Sequence, residues 1–448
     1  MNWKILAGSV TACASCLAAD PSVSGVSFTY GGAYEPSRIS YVLSGAPAIV
    51  TIDIETNALA NGEGDWAPVG GEATGRLVGA VSTVVRTLDE NVSALWWPAG
   101  SWSGKKLPAG AVRARITAYP TNSPPDYMVV DIADFTNSVR FYSCEASLPG
   151  GIGSALYRTD AMVMRRIPAA NVVWRMGIPE GVQDAGGYNT AHNVLLTEDY
   201  YMGVFELTQG QYSNYASNPS VTKDPFCPVS KIDCVHLRGQ NALLADDPYG
   251  WPKADHPVSP SSVIGKMRKH TGLKTLDIPT DAQWEYACRA GTGTRINTGK
   301  ASPSSADWDA VAWSLSKAQK VHRPVGTKLS NNWGLYDMHG NVLEFCLDWY
   351  ATNHVEYVNS FQEGWESGAV TTNPVGVAFS ATNAEKPSVV KRGGSVSHDR
   401  ANLASGYHMS GGWTYEDVYI GSRLVCPLSD VVGLLGDPNT TSEDDVAQ

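Results

Sequence analysis

The stretch Gly334–Tyr350, GLYDMHGNVLEFCLDWY, constrains this chain more than any other. Gly334, Gly340 and Asn341 tolerate positive φ, so tight turns are written into it. Val342, Leu343, Phe345, Leu347, Trp349 and Tyr350 supply apolar mass to be buried around those turns. Asp337, Glu344 and Asp348 place carboxylates among them. Two readings fit. A turn carrying carboxylates and free carbonyls can cage Ca2+, which takes roughly six to eight oxygens. Alternatively the stretch is a β-hairpin whose carboxylates face water.

Other stretches repeat the same mixture of caps, glycines and aromatics. Thr280 and Gln283 in IPTDAQWEYACRAGT (278–292) have capping-box spacing, with Trp284, Ala287 and Cys288 on one apolar face. Thr208 and Gln211 have the same spacing in YYMGVFELTQGQYSNY (200–215). Ser259 followed by Pro260 reads as an N-cap and first helical residue, with Val263 and Met267 sharing a face and Gly272 as the stop. KRGGS (391–395) and YIGSR (419–423) follow. In this order the motifs resemble the formylglycine-generating enzyme family (sulfatase-modifying-factor domains), covering about Arg165–Pro427.

The resemblance implies a C-type-lectin-like α+β fold over 141–428. It also implies an activity: active members oxidise a substrate cysteine to formylglycine with O2, using two cysteines after RGGS that bind Cu(I). Here those positions hold His398 and Leu403, so both thiols are absent and a copper centre is not expected. Around them, in the family's active-site region, stand Ser395, Asn402 and His408. The family's nearby Trp, Phe and Arg residues are replaced by Leu343, Val396, Ala404 and Ser422, and His408 stands at another arginine position. His398 and His408 with Asp399 are the metal-binding side chains left there, or ordinary loop residues. The family's Ca2+ ligands fall on Asp337 and Glu344 (side chains) and on Gly340 and Val342 (carbonyls), which favours the Ca2+ reading of the first stretch.

The 448 residues are 43% hydrophobic, which is globular composition with room for two domains. A net charge of −11 excludes a nucleic-acid binder that relies on a basic face. Residues 1–19 read as a secretory signal peptide with Lys4 in its n-region; Val10–Cys13 alternatively fits a lipobox with a lipid anchor on Cys13. No later run is long and apolar enough for a transmembrane segment. Cys144, Cys227, Cys234, Cys288, Cys346 and Cys426 remain, an even number that suggests disulfides, with Cys227–Cys234 the expected local pair.

Alternation of apolar and polar residues at 26–30, 39–43, 50–55 and 112–118 predicts a β-sandwich, immunoglobulin-like, over 20–119, with 50–55 a half-buried strand. Trp96, Trp97 and Trp102 are either core or a sugar platform. Residues 120–140 read as linker and lead-in strand, and 429–448 as an acidic disordered tail.

Two functions compete. One is an exported, non-catalytic binding module of bacterial type, a pseudoenzyme. Its loop from His398 to Tyr419 would meet a protein or glycan through Tyr407, Trp413, Tyr415 and Tyr419. The other is a divergent formylglycine-generating or related oxidase acting on exported sulfatases.

Overall fold

The computed structural model describes residues 20–31, 35–57, 64–70, 75–86, 92–97, 110–133, 139–178, 191–239, 258–350, 370–375 and 388–436. The signal segment with Cys13, Trp102 and 437–448 lie outside the described residues.

The first part of the chain is two antiparallel sheets. One orders the strands Ser22–Thr29, Ser37–Ser44, Val92–Trp97 and Arg76–Gly79; the other is built on Ala48–Asn57, which pairs with Trp66–Pro68, Thr83–Val85 and Val112–Pro120. Ile39, Tyr41 and Leu43 from the first sheet and Val50, Ile52 and Ile54 from the second close one shared core, with Trp96 inside it. Trp96 is therefore core, and of that aromatic trio only Trp97 is seen exposed.

Ala48–Asn57 is not half-buried as its alternation suggests. Its polar face is covered too, and Asp53 and Glu55 are buried. Asp53 accepts hydrogen bonds from Ser143 Oγ (2.6 Å) and Ser147 Oγ at the start of the second domain, and pairs with Arg115 (2.9 Å). Glu55 pairs with Arg113 and Arg115. A carboxylate can be buried when its lone pairs are filled in this way.

The second domain opens earlier than the sequence suggests. Tyr127–Asp131, the lead-in strand, sits inside a five-stranded antiparallel sheet between Val139–Tyr142 and Ala161–Ile167, followed by Tyr200–Gly203 and Val425–Pro427. The chain's late strand thus closes against its early ones. A second, four-stranded sheet orders His408–Gly412, Ser388–Arg392, Leu343–Trp349 and Ile420–Gly421. The helix Asp281–Arg289 lies against it. That helix starts at the Thr280–Gln283 capping box and buries Trp284, Ala287 and Cys288 completely. The Thr208–Gln211 box is likewise formed.

Three expectations are corrected. The cap of helix Val263–Thr271 is Ser262, not Ser259: Ser262 Oγ accepts from Gly265 N and donates to the Ser259 carbonyl. Gly272 still ends the helix at φ 75°. The expected disordered tail begins instead with a helix, Leu428–Gly436, whose Val431 and Leu435 enter the core and whose Asp430 accepts from the Lys274 and Thr275 amides. Finally, all six described cysteines are free thiols, so Cys227–Cys234 is not a disulfide. Cys234 starts a helix and packs into the main core, while Cys227 is buried in the turn after Asp224, and burial pushes both thiols up to about 12.

Candidate functional site

Gly340 has φ 116°, and a methyl group there would strike the backbone of Trp313; Asp337 and Asn341 also take positive φ. This turn folds the loop inward, so its polar groups are buried rather than solvated. Asn341 Nδ2 donates to Glu206 Oε2 (2.6 Å) and Val342 N donates to Glu206 Oε1 (3.0 Å). Glu344 accepts from Trp284 Nε1 (2.6 Å) and is paired with Arg423 (2.9 Å). Arg423 also donates to the carbonyls of Gly203, Val204 and Tyr336, which joins both sheets to the loop.

Glu206, Asp337 and Glu344 influence one another electrostatically; Arg423 acts on the group as a cation, and Arg158 acts on Asp337 as well. Burial, then the Asp337 and Glu344 charges, raise Glu206 well above the usual carboxylate range. Burial pushes Asp337 up to about 6 against the opposing pull of the Gly326 amide and Arg423. Asp337 Oδ2 accepts from Gly326 N (2.7 Å), but Oδ1 is buried with no hydrogen-bond partner. A surplus of buried carboxylates and an orphaned oxygen match the donor set a hard cation takes. Glu344 would share its oxygens with Arg423 and Trp284. Asp348, the third acid of the stretch, lies apart: it accepts from Asp281 N (2.6 Å).

The segment after RGGS takes a different form. Ser395 Oγ and His398 Nδ1 are 2.7 Å apart, and Ser397 Oγ is 2.9 Å from Ser395 Oγ. Burial lowers the His398 pKa. Leu403 is fully buried among Ile296, Trp308, Val311 and Ala404, and its carbonyl faces His339 Nδ1 (2.7 Å). A methyl group on Gly394 would collide with Leu403 and with the carbonyl of Asn402. His408 lies elsewhere, packed on Tyr350 and paired with Asp281 (3.3 Å). Asp281 is held below its usual range: burial would raise it, and the Arg392 charge and the His408 contact outweigh that. The two histidines therefore serve different partners rather than one metal.

The predicted contact residues also divide. Tyr407 packs with the Leu403 cluster. Trp413 packs on the main core, Tyr415 is 55% exposed, and Tyr419 meets His322 edge-on. Under the 412–419 loop runs the helix Cys234–Arg238. Its Cys234 amide donates to the Trp413 carbonyl, and His236 Nδ1 pairs with Asp233 (2.7 Å) while Nε2 lies 3.8 Å from Glu416.

Sequence reasoning missed Glu206, Lys391 and this Asp233–His236–Glu416 chain. Glu206 was visible as the acid of FELTQ, and Lys391 as a lysine directly after the valine pair of SVVKR. The partners that give them meaning are far away in the chain.

The sequence over 158–427, more than half of the chain, matches the family described as sulfatase-modifying factor enzyme 1-like domain. It is 27% identical to the chaperone protein LppX of Paenibacillus barcinonensis over 36% of this chain and 65% of that protein. It is 22% identical to the formylglycine-generating enzyme of Bos taurus over 48% of this chain and 64% of that one. It thus spans just under two thirds of each relative's length. Among solved structures, Treponema denticola variable protein 1 aligns over 61% of this chain and 96% of its own, at 22% identity and a TM-score of 0.43. With its motif-bearing loops placed and the match spanning more than half of its residues, the chain belongs to the sulfatase-modifying-factor, formylglycine-generating-enzyme-like family.

Proposed function

We propose that this domain is a non-catalytic, ligand-binding member of its family, displayed outside the cytoplasm, and that the loop around Trp413, Tyr415 and Tyr419 carries the contact surface. The observation that supports it is Leu403. An alkyl side chain sealed among Trp308, Ile296 and Val311 offers no ligand where the enzymes hold a thiolate. His398, the other position, spends one nitrogen on Ser395. Copper(I) prefers soft sulfur donors, and neither residue supplies one.

The fitting ligand is a protein or glycan surface, since Tyr and Trp bind such surfaces at low cost in conformational entropy. Purified protein given Cu(I), O2, a reductant and a cysteine peptide of sulfatase type leaves the peptide mass unchanged, and glycan or protein arrays give signals lost in Trp413→Ala and Tyr415→Ala. Conversion of the peptide cysteine to an aldehyde supports the competing oxidase reading and overturns this one.

The GLYDM loop holds a structural Ca2+, with Asp337 and Glu344 giving side-chain oxygens and Gly340 and Val342 giving carbonyls. Support comes from the unpartnered Asp337 Oδ1 and the nearby Glu206. The ion neutralises the surplus carboxylates and fixes the turn. A chelator lowers Tm, and Asp337→Ala removes that sensitivity; identical melting with and without chelator rules the ion out.

A further inference from the structure

Lys391 is the least expected side chain in the molecule. It lies on the strand Ser388–Arg392, between Phe345 and Met409 on the flanking strands, and is 2% exposed. Buried lysines are normally paired. This one makes no ion pair and no hydrogen bond with the described chain. Its Nζ sits 4.9 Å from the centre of the Phe345 ring and 5.5 Å from that of Tyr415. Gly411, on the neighbouring strand, leaves the space the amine occupies: a methyl group there would land on Nζ.

Two aromatic faces and a glycine thus enclose the amine, and among the described residues no carboxylate bonds to it to offset its desolvation. The titratable groups that face it are the Cys234 thiol, from the helix below, and Asp417, from the loop above. Neither offsets the desolvation, and burial lowers the Lys391 pKa to about 8. Its cover, Tyr415, is a surface side chain whose hydroxyl donates to Asp417 Oδ2 (3.2 Å).

We propose that Lys391 is a nucleophilic amine which, beneath Tyr415, condenses with aldehydes to form an imine. The neutral amine's lone pair forms the new C–N bond to the carbonyl carbon. The carbonyl π pair moves to oxygen, which takes a proton. The carbinolamine then loses that oxygen as water, whose two hydrogens come from the amine, and the C=N bond closes. No oxidant enters, and the imine hydrolyses by the same path in reverse. Lysines made reactive by desolvation work in this way. The inference goes beyond the binding reading and stands whether or not the loop has a ligand.

The probe is formaldehyde with cyanoborohydride, which reduces the imine to a methylated amine that peptide mass mapping locates. Lys231, an exposed lysine, is the internal reference. Lowering an amine's pKa from its usual ~10.4 to about 8 multiplies its neutral fraction at neutral pH by a few hundred, and weaker basicity and the aromatic cover take back part of that. At about pH 7.5, Lys391 is labelled about 10-fold faster than Lys231, and the advantage shrinks toward strongly alkaline pH, where an ordinary lysine amine loses its proton as well. Gly411→Ala pushes Nζ out of its cradle while keeping the lysine, and the ratio at neutral pH falls to about one, with the fold checked by its melting curve. Labelling of Lys391 no faster than Lys231 at neutral pH overturns the proposal. So does an undiminished ratio in a folded Gly411→Ala protein.

Discussion

The buried frame around Arg423 and the loop just before it, 412–419, are neighbours in sequence and opposites in physics. Every N–H of the Arg423 guanidinium is used, on Glu344 and on the carbonyls of Gly203, Val204 and Tyr336. A second frame repeats the design: Arg392, 1% exposed on its side chain, pairs with Asp281 and with Glu285 (2.9 Å), and Glu285 pairs with Arg289. In the loop, by contrast, Tyr415 and Glu416 are largely solvent-facing, and Glu416 only approaches His236. Charges in the frame are fixed because nothing else can satisfy them in a low dielectric. In the loop Asp417 is held by the Tyr415 hydroxyl and the Tyr419 amide, while Glu416 faces solvent. The family's motifs are thus a scaffold vocabulary: they build the buried frame and leave the loop open.

The frame is where the largest loss is expected. Arg423→Met keeps volume but leaves Glu344 with Trp284 in place of an ion pair, and leaves the Gly203, Val204 and Tyr336 carbonyls without the donor they had. Removing one partner of such a pair costs about 3–5 kcal/mol. Urea unfolding of the whole chain measures it. A loss below ~1 kcal/mol would place the arginine with ordinary surface pairs and dissolve the contrast between frame and loop.

Much of the frame was legible in the sequence, and the reason is locality. The capping boxes at Thr208 and Thr280 and the αL stop at Gly272 are decided within a few residues. What failed depends on distance. Asp53 looks solvent-facing by alternation, yet Ser143 and Ser147 of the next domain cover it. Glu206 joins Asn341 only through tertiary folding. Ser259 and Ser262 are equally good caps by type, and packing chose Ser262: Gly265 sits so close to the Ser259 carbonyl that a methyl group would not fit. The helix after Pro427 was hidden by the acidic, polar residues that follow it, although Val431 and Leu435 have helical spacing. In the candidate site, the residue types at 398 and 403 were readable directly, whereas the burial of Leu403 and the divergence of His398 from His408 were not.

At the loop's root a smaller, pH-dependent effect sharpens the comparison. The hydrogen bond to Asp233 raises the His236 pKa above its usual value, with burial opposing and Glu416 assisting. A histidine whose folded pKa is raised binds its proton more tightly when folded. Its contribution is therefore complete below the unfolded pKa of about 6.5 and is lost as pH rises through the folded value. Because His236 is 37% exposed, solvent screening limits the effect to no more than ~1 kcal/mol. Tm of the wild type compared with His236→Gln from mildly acidic to mildly alkaline pH should show the two curves converging as pH rises. A gap that widens with pH contradicts this sign.

Tyr415→Ala is expected to change stability least, and it divides the two regions most cleanly. The ring is 55% exposed, so its removal uncovers little apolar surface that folding had buried. What it loses is one hydroxyl contact to Asp417 at 3.2 Å and a 5.5 Å approach to the Lys391 amine. Neither is a close, well-packed contact, and the gain in loop freedom offsets part of what they contribute. Urea unfolding should therefore place the variant within ~0.5 kcal/mol of the wild type. Ligand capture on arrays should nevertheless fall to background, because an exposed aromatic that contributes little to the fold can give its full face to a partner. A variant that melts early and still binds would make Tyr415 part of the frame and move the contact surface elsewhere.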